Sequence, residues 1–296
     1  MKIKLIWRLL ASLAIVFQDV SCGKDTSFND EKVLQLPKSY DISWMSSVEN
    51  SKVISELTIP GTHDTMALYG GPAAECQAWS LEDQLRAGIR YLDLRVFSID
   101  DKLYVMHGVM YEHTTFIKVL ETIKAFLAEF KTEAVLVRVK PDLFNKADVE
   151  KLVQKIVEFD EDVWIKSAVP TMGEIRGKIV FVQKLSFKLG LPLVGTDKKD
   201  DYKVTNILDK EIKIEEHLNE AEKECGRDYL VLSYSSGTGI GTLKGMFLTP
   251  KKVAKNINPW FYEYLKKLPH DTGTCFGIIA MDFPGLALIQ TVINLN

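Results

Sequence analysis

The chain has no long apolar run after its first residues, no surplus of positive charge and few cysteines. Each shortage narrows what it can be. With 37 Lys+Arg against 40 Asp+Glu, the formal net charge is -3. That removes the basic field that nucleic acid or strong attraction to anionic membrane requires, so nucleic acid is not expected as a partner. No stretch reaches the roughly 20 apolar residues of a membrane helix, so no transmembrane helix is expected in the mature chain. The four cysteines include no CxxC and no Cys/His cluster at zinc spacing, which argues against a structural zinc site. There is no Asn-x-Ser/Thr sequon, internal repeat, low-complexity tract or dividing linker. Gly237-Thr238-Gly239-Ile240-Gly241 lacks the Walker lysine and the full dinucleotide pattern, so it reads as a tight loop, not a phosphate cradle.

What is present suits one large α/β domain: 296 residues, 46% of them hydrophobic and 26% charged, with ample apolar area for a core. Lys2, Lys4 and Arg8 mark a basic start ahead of a short apolar run at residues 9–17, and Val20 and Cys22 suit the −3 and −1 positions of a cleavage site. The expected division is a cleaved signal over 1–22, a flexible segment over 23–37 and a single domain over 38–296, secreted to the extracellular space. If Cys22 leaves with the signal, Cys76, Cys225 and Cys275 remain, enough for one bridge and one leftover thiol, with the pairing open.

Apolar spacing sets the expected elements. Ile54, Leu57 and Ile59 read as a short buried strand ended by Pro60-Gly61. Further strands are predicted at 91–96, 103–106, 134–139, 178–182, 229–232 and 276–280. Phe116, Val119, Leu120, Ile123, Phe126, Leu127 and Phe130 give a helix over 115–130, and Leu152, Val153 and Ile156 give another over 149–159. Alternating βα units favour a distorted TIM-type (β/α) barrel, with a doubly wound open sheet as the alternative. Residues 196–202 are placed in a rim loop. Trp260-Phe261-Tyr262 after Asn258-Pro259 reads as a helix start that buries aromatics.

Several reactive side chains fall at strand ends, where such folds bind ligands. His63-Asp64 follows the first strand. A histidine there can move a proton near neutral pH. His107 follows the run 103–106, so two imidazoles are candidates for base and acid on opposite sides of a transferred phosphorus. His113, His217 and His270 sit in polar contexts and read as solvated. Asp93 and Arg95 share one strand face; they are either a structural ion pair or a phosphate clamp in which Asp93 fixes the Arg95 guanidinium. Of Arg138 and Lys140, Lys140 lies nearer the strand end and is the ligand candidate, while Arg138 reads as a buried ion-pair member. Asp282 ends the run 276–281, placed to orient a histidine or to cap a helix.

In this order, the segments Ile59-Pro60-Gly61-Thr62-His63-Asp64, Gly88-Ile89-Arg90-Tyr91-Leu92-Asp93-Leu94-Arg95 and Val105-Met106-His107-Gly108 resemble the X-region of phosphatidylinositol-specific phospholipase C, bacterial-type branch. Val137-Arg138-Val139-Lys140, Arg176-Gly177-Lys178-Ile179-Val180 and Ile279-Ala280-Met281-Asp282 extend the likeness, so residues 38–296 would form the catalytic barrel. The resemblance implies that His63 is the general base for the inositol 2-hydroxyl and His107 the general acid for the glycerol oxygen. Asp282 would orient His63, Asp64 assist the acid, Arg95 and Lys140 bind the phosphate, and Asp93 hold Arg95. Lys184 stands where bacterial relatives carry an inositol-binding arginine, and Asp200 and Tyr202 match an inositol-contacting aspartate and a ring-stacking tyrosine. Calcium-dependent relatives put metal ligands where this chain has Arg95, whose charge repels Ca²⁺. Neither a metal nor another cofactor is expected.

The implied substrate is phosphatidylinositol or a glycosyl-phosphatidylinositol (GPI) type of lipid at a membrane surface, attacked by a monomer. Two other readings remain: a metal-dependent glycerophosphodiester-type or sphingomyelinase D-type phosphodiesterase, and an inactive barrel that binds inositol lipid headgroups.

Overall fold

Aliphatic and β-branched runs buried on both faces form a closed barrel of parallel strands. The computed structural model describes residues 26–142, 146–198, 201–268 and 273–296. Its strands are β1 (Thr58–Thr62), β2 (Tyr91–Ile99), β3 (Lys102–His107), β4 (Met110–Thr115), β5 (Val135–Pro141), β6 (Val163–Trp164), β7 (Ile179–Gln183), β8 (Leu191–Gly195), β9 (Leu230–Tyr234) and β10 (Gly277–Met281). The barrel runs β1-β2-β5-β7-β8-β9-β10, and β1 pairs with both β2 and β10. That closure excludes the open sheet and matches the expected TIM-type barrel. The distortion lies in the strand number and at the β7–β8 seam, where pairing is limited to Val182↔Leu191 and Gln183↔Pro192.

Around the strands lie α1 (Leu81–Arg86), α2 (Phe116–Glu129), α3 (Lys146–Val157), α4 (Met172–Ile175), α5 (Ile207–Lys223), α6 (Pro250–Leu265) and α7 (Leu286–Ile293). α2 buries the apolar stripe its periodicity predicts, and the Thr115 hydroxyl caps it by accepting from the Lys118 N–H.

Local departures from the sequence reading have physical causes. Ile54–Glu56 is a 3₁₀ turn, and β1 continues through Pro60-Gly61 instead of ending there. Gly61 is needed because a Cβ would stand 2.6 Å from the Tyr91 ring. The strand at 103–106 is not a barrel strand: β3 turns back antiparallel on β2 and carries β4 at its edge. Pro259 lies inside α6, whose first turn holds Pro250 after the Thr249 cap, so the 260–262 aromatics are mid-helix. β8 was not anticipated because Pro192 interrupts an otherwise apolar run.

The proposed signal, 1–22, lies outside the described residues. Part of the segment expected to be flexible is fastened to the barrel: the Asn29 N–H donates to Phe283 O (3.0 Å), and the Gly285 N–H donates to Ser27 O (2.8 Å). Cys225 and Cys275 form the disulfide, with Cα atoms 5.4 Å apart, and Cys76 is free and buried.

Candidate active site

The carboxyl ends of β1 and β10 lie side by side and are fixed by their own backbone. The His63 N–H donates to Met281 O at 2.9 Å. The Gln77 amide donates to both His63 O (2.8 Å) and Met281 O (2.9 Å), fastening the two ends together. Just past each strand the chain turns sharply: Asp64, after His63, has φ 39°, and Phe283, after Asp282, has φ 46°. From α6, the Asn258 amide donates to Asp282 O (3.0 Å) and Phe283 O (2.9 Å). These contacts place His63 Nδ1 2.9 Å from Asp282 Oδ1, with both residues buried.

The β2–β5 register sets Asp93 beside Arg138 and Arg95 beside Lys140 on one face. Lys140 Nζ donates to Asp93 Oδ2 at 2.7 Å and lies 3.4 Å from Asp64 Oδ1. Arg95 Nε donates to Asp64 Oδ1 at 2.6 Å. The pairing inferred from sequence therefore needs correcting: Asp64 holds Arg95, and Asp93 holds Lys140. Position along the strands accounts for it: Arg95 lies two residues nearer the rim than Asp93, and Asp64 lies two residues beyond the end of β1.

His107 reaches the same place because β3 returns antiparallel along β2 and ends at rim height. Its Nε2 lies 3.2 Å from Asp64 Oδ2, and His63 Nε2 lies 3.2 Å from that same oxygen. Asp64 thus stands between the two imidazoles and is not confined to the His107 side.

Burial and neighbouring charge pull these groups in opposite directions. Burial pushes the Asp64 carboxyl up, but His63, Lys140, His107 and Arg95 together outweigh it and hold the carboxyl well below the usual range. Burial likewise opposes the charge on Asp93, and Lys140 and Arg138 overcome it. Burial disfavours the charged form of His107, yet contact with Asp64 prevails and raises its pKa, so it keeps its proton to higher pH. Asp282 is pushed up by burial, an effect that His63 only partly offsets. Asp64 keeps Arg95 protonated despite its burial.

A cavity of about 280 Å³ opens over this cluster. His63, Arg95, Lys140, Lys184 and Tyr202 line it, with the Tyr202 ring centroid 5.1 Å from that of His63. Lys184 Nζ is 4.0 Å from Asp197 Oδ1. Asp200 lies outside the described residues. Its neighbour Asp201 accepts from the Lys213 ammonium (2.9 Å) and the Lys198 N–H (2.8 Å) and lies 3.0 Å from His217 Nε2.

Sequence reasoning missed other cavity residues. Arg138, read only as an ion-pair member, lines the wall and donates to the Tyr234 hydroxyl at 2.8 Å. Tyr234 is the last residue of β9, and extending that strand to its rim end would have found it. Lys210 and His217 line the cavity from the buried face of α5, where burial lowers the Lys210 pKa to about 8. His217 is therefore not solvated: only 3% exposed, it is a buried neighbour of Asp201. The spacing of Lys210, Ile214 and His217 carried the signal, masked by two polar residues on the inward stripe. His113 is exposed, and His270 lies outside the described residues. In the glycine loop, the Thr238 and Gly239 N–H groups donate to Tyr202 O and Leu248 O, so neither amide is left to cradle a phosphate.

Comparison with known proteins gives a consistent picture. The family described as phosphatidylinositol-specific phospholipase C, X domain, matches residues 51–185. The 1-phosphatidylinositol phosphodiesterase of Listeria monocytogenes is 28% identical over 280 residues, covering 86% of this chain and 84% of that protein. The Staphylococcus aureus (strain Newman) protein of the same name is 23% identical over 283 residues, covering 82% of this chain and 88% of the relative. The solved phosphatidylinositol-specific phospholipase C from Listeria monocytogenes superposes with a TM-score of 0.74 at 27% identity, covering 87% of this chain and 99% of that one.

Proposed function

Because this chain belongs to the phosphatidylinositol-specific phospholipase C X-domain family, we propose that it is a phosphoric diester lyase that cleaves phosphatidylinositol at a membrane surface. The observation that carries the reading is the pair of imidazole Nε2 atoms, each 3.2 Å from Asp64 Oδ2, beside Arg95 and Lys140. Substrate phosphate sits against the two cations. His63 Nε2 takes the proton of the inositol 2-hydroxyl, and that oxygen forms a bond to phosphorus. The bond from phosphorus to the glycerol oxygen breaks as His107 delivers a proton to it. Diacylglycerol leaves, and a cyclic inositol phosphodiester remains.

Asp282 keeps the His63 ring oriented and stabilises its charge once protonated. Arg95, held by Asp64, and Lys140, held by Asp93, neutralise the charge that builds on the non-bridging oxygens. Arg95 and Lys140 supply the positive charge that a Ca²⁺ ion would otherwise bring to the phosphate, so the proposed reaction needs none. Tyr202, Lys184 and Arg138 line the cavity as contacts for the inositol ring, the tyrosine face for stacking and the cations for its hydroxyls. The Cys225–Cys275 disulfide suits the oxidising compartment that secretion reaches, and the protein acts there as a monomer.

Mass spectrometry of products from phosphatidylinositol vesicles in excess EDTA tests the reading. Diacylglycerol and cyclic inositol phosphate are expected. Activity lost to EDTA and restored by Mg²⁺ or Ca²⁺ would favour a metal-dependent phosphodiesterase, and headgroup binding without any product would favour an inactive barrel.

A further inference from the structure

Cys76 has no part in this reaction, yet its sulfur lies against the reacting groups. Its backbone links the two loops that carry them: the Cys76 N–H donates to Ala67 O (2.9 Å), and its carbonyl accepts from the Phe283 N–H (3.0 Å). The side chain is fully buried, with a sulfur contact of 3.6 Å to Ala74 O. Ligand atoms of His63, Cys76 and Asp282 lie within 4.8 Å of one another, and those of Asp64, Cys76 and His107 satisfy the same limit. The thiol is the group common to both sets. Asp282 Oδ2, in a residue only 1% exposed, has no hydrogen-bond partner among the described residues.

A nitrogen, a sulfur and a carboxylate oxygen make the donor set that Zn²⁺ prefers, and thiolate plus carboxylate balance its charge. Zinc–ligand bonds of about 2.0–2.3 Å put tetrahedral neighbours roughly 3.5 Å apart, a contraction within reach of small side-chain rotations. The alternative set of His63, Asp64 and Asp93 has no sulfur, and its carboxylates already hold Arg95 and Lys140. Hard cations, which want six or more oxygens, find no such shell at Cys76.

We infer that His63, Cys76 and Asp282 form an inhibitory site for a thiophilic divalent cation of the Zn²⁺ class, reached through the cavity that His63 lines. Binding forms a metal–sulfur bond and releases the thiol proton to solvent, with no change of oxidation state. The cation takes the place of the proton that His63 Nδ1 shares with Asp282; the imidazole then carries its proton on Nε2, so His63 can no longer accept the substrate proton. Inhibition rests on the proposed reaction; metal binding does not.

The test uses the disulfide-intact protein in thiol-free buffer. Titration with Co²⁺ is expected to give a thiolate-to-cobalt charge-transfer band that Zn²⁺ displaces, and Cys76→Ala and Cys76→Ser are expected to lose it. Zn²⁺ is expected to inhibit phosphatidylinositol cleavage reversibly, with EDTA restoring turnover. Cys76→Ala is expected to keep zinc-free turnover and to raise the half-inhibitory Zn²⁺ concentration about tenfold or more. Absence of the band in the wild-type protein overturns the site, as does equal inhibition of a folded Cys76 variant. A wild-type protein that shows the band but cleaves no inositol lipid supports the metal site and refutes the proposed activity; cleavage without the band does the reverse.

Discussion

Replacing Asp282 by Asn isolates one electrostatic contribution, because the amide keeps the shape and an oxygen able to accept from His63 Nδ1. The wild-type oxygen lies 2.9 Å from that nitrogen in a residue 1% exposed. The centres of the carboxylate and imidazolium charges are then about 4 Å apart, worth about 4 kcal/mol at an effective dielectric constant near 20. In the proposed reaction His63 becomes charged as it takes the substrate proton, so the loss falls on the transition state. Every ~1.4 kcal/mol is a factor of ten; kcat is expected to drop roughly 10³-fold with KM little changed. Stability is expected to move the other way or not at all, since burial already pushes this carboxyl up and makes its charge costly. Steady-state kinetics on phosphatidylinositol vesicles, paired with thermal melts, provide the assay. A loss below tenfold in a folded variant, or a loss carried by KM, refutes the reasoning.

Other perturbations test the scaffold. Arg90 and Glu133 form a 2.7 Å ion pair with both side chains fully buried. Glu133→Gln strands the guanidinium and is expected to cost about 3–5 kcal/mol in urea denaturation; a cost under about 1 kcal/mol would contradict it. Asp201 is opposed by burial but held to a pKa of about 2 by Lys213, the Lys198 N–H and His217. Its folded pKa is depressed, so its contribution is present above the unfolded value near 3.8 and is lost as pH falls through about 4 to 2. Asp201→Asn is expected to flatten the acid limb of stability by about 2 kcal/mol, measured by denaturant midpoints at each pH; an unchanged slope would refute the assignment.

The barrel was legible because its strands are short apolar runs with reactive residues at their ends, as at His63, Lys140 and Asp282. The partners of those residues were less legible, because pairing depends on register between strands distant in sequence. Asp93 and Arg95 share a face, yet the rim height of Asp64 and the β2–β5 alignment decide that Arg95 goes to Asp64 and Lys140 to Asp93. His107 was correctly placed for an incomplete reason, since β3 is a returning hairpin and not a barrel strand. The wall supplied by α5 was hidden because Lys210 and His217, polar types, occupy its inward stripe. Gln77 and Asn258 act through backbone carbonyls, and no local pattern marks such a role.

The central claim is the division of labour between the two histidines. Its most direct test pairs His63→Ala and His107→Ala with two inositol phosphodiesters, one with an alkoxide leaving group and one with a weakly basic phenolate that needs no proton to depart. Both variants are expected to lose activity on the alkyl ester. His107→Ala is expected to recover most of its turnover on the phenolate ester, whereas His63→Ala is not, because the 2-hydroxyl still needs its base. Rescue of His63→Ala, or no rescue of His107→Ala, would contradict the account.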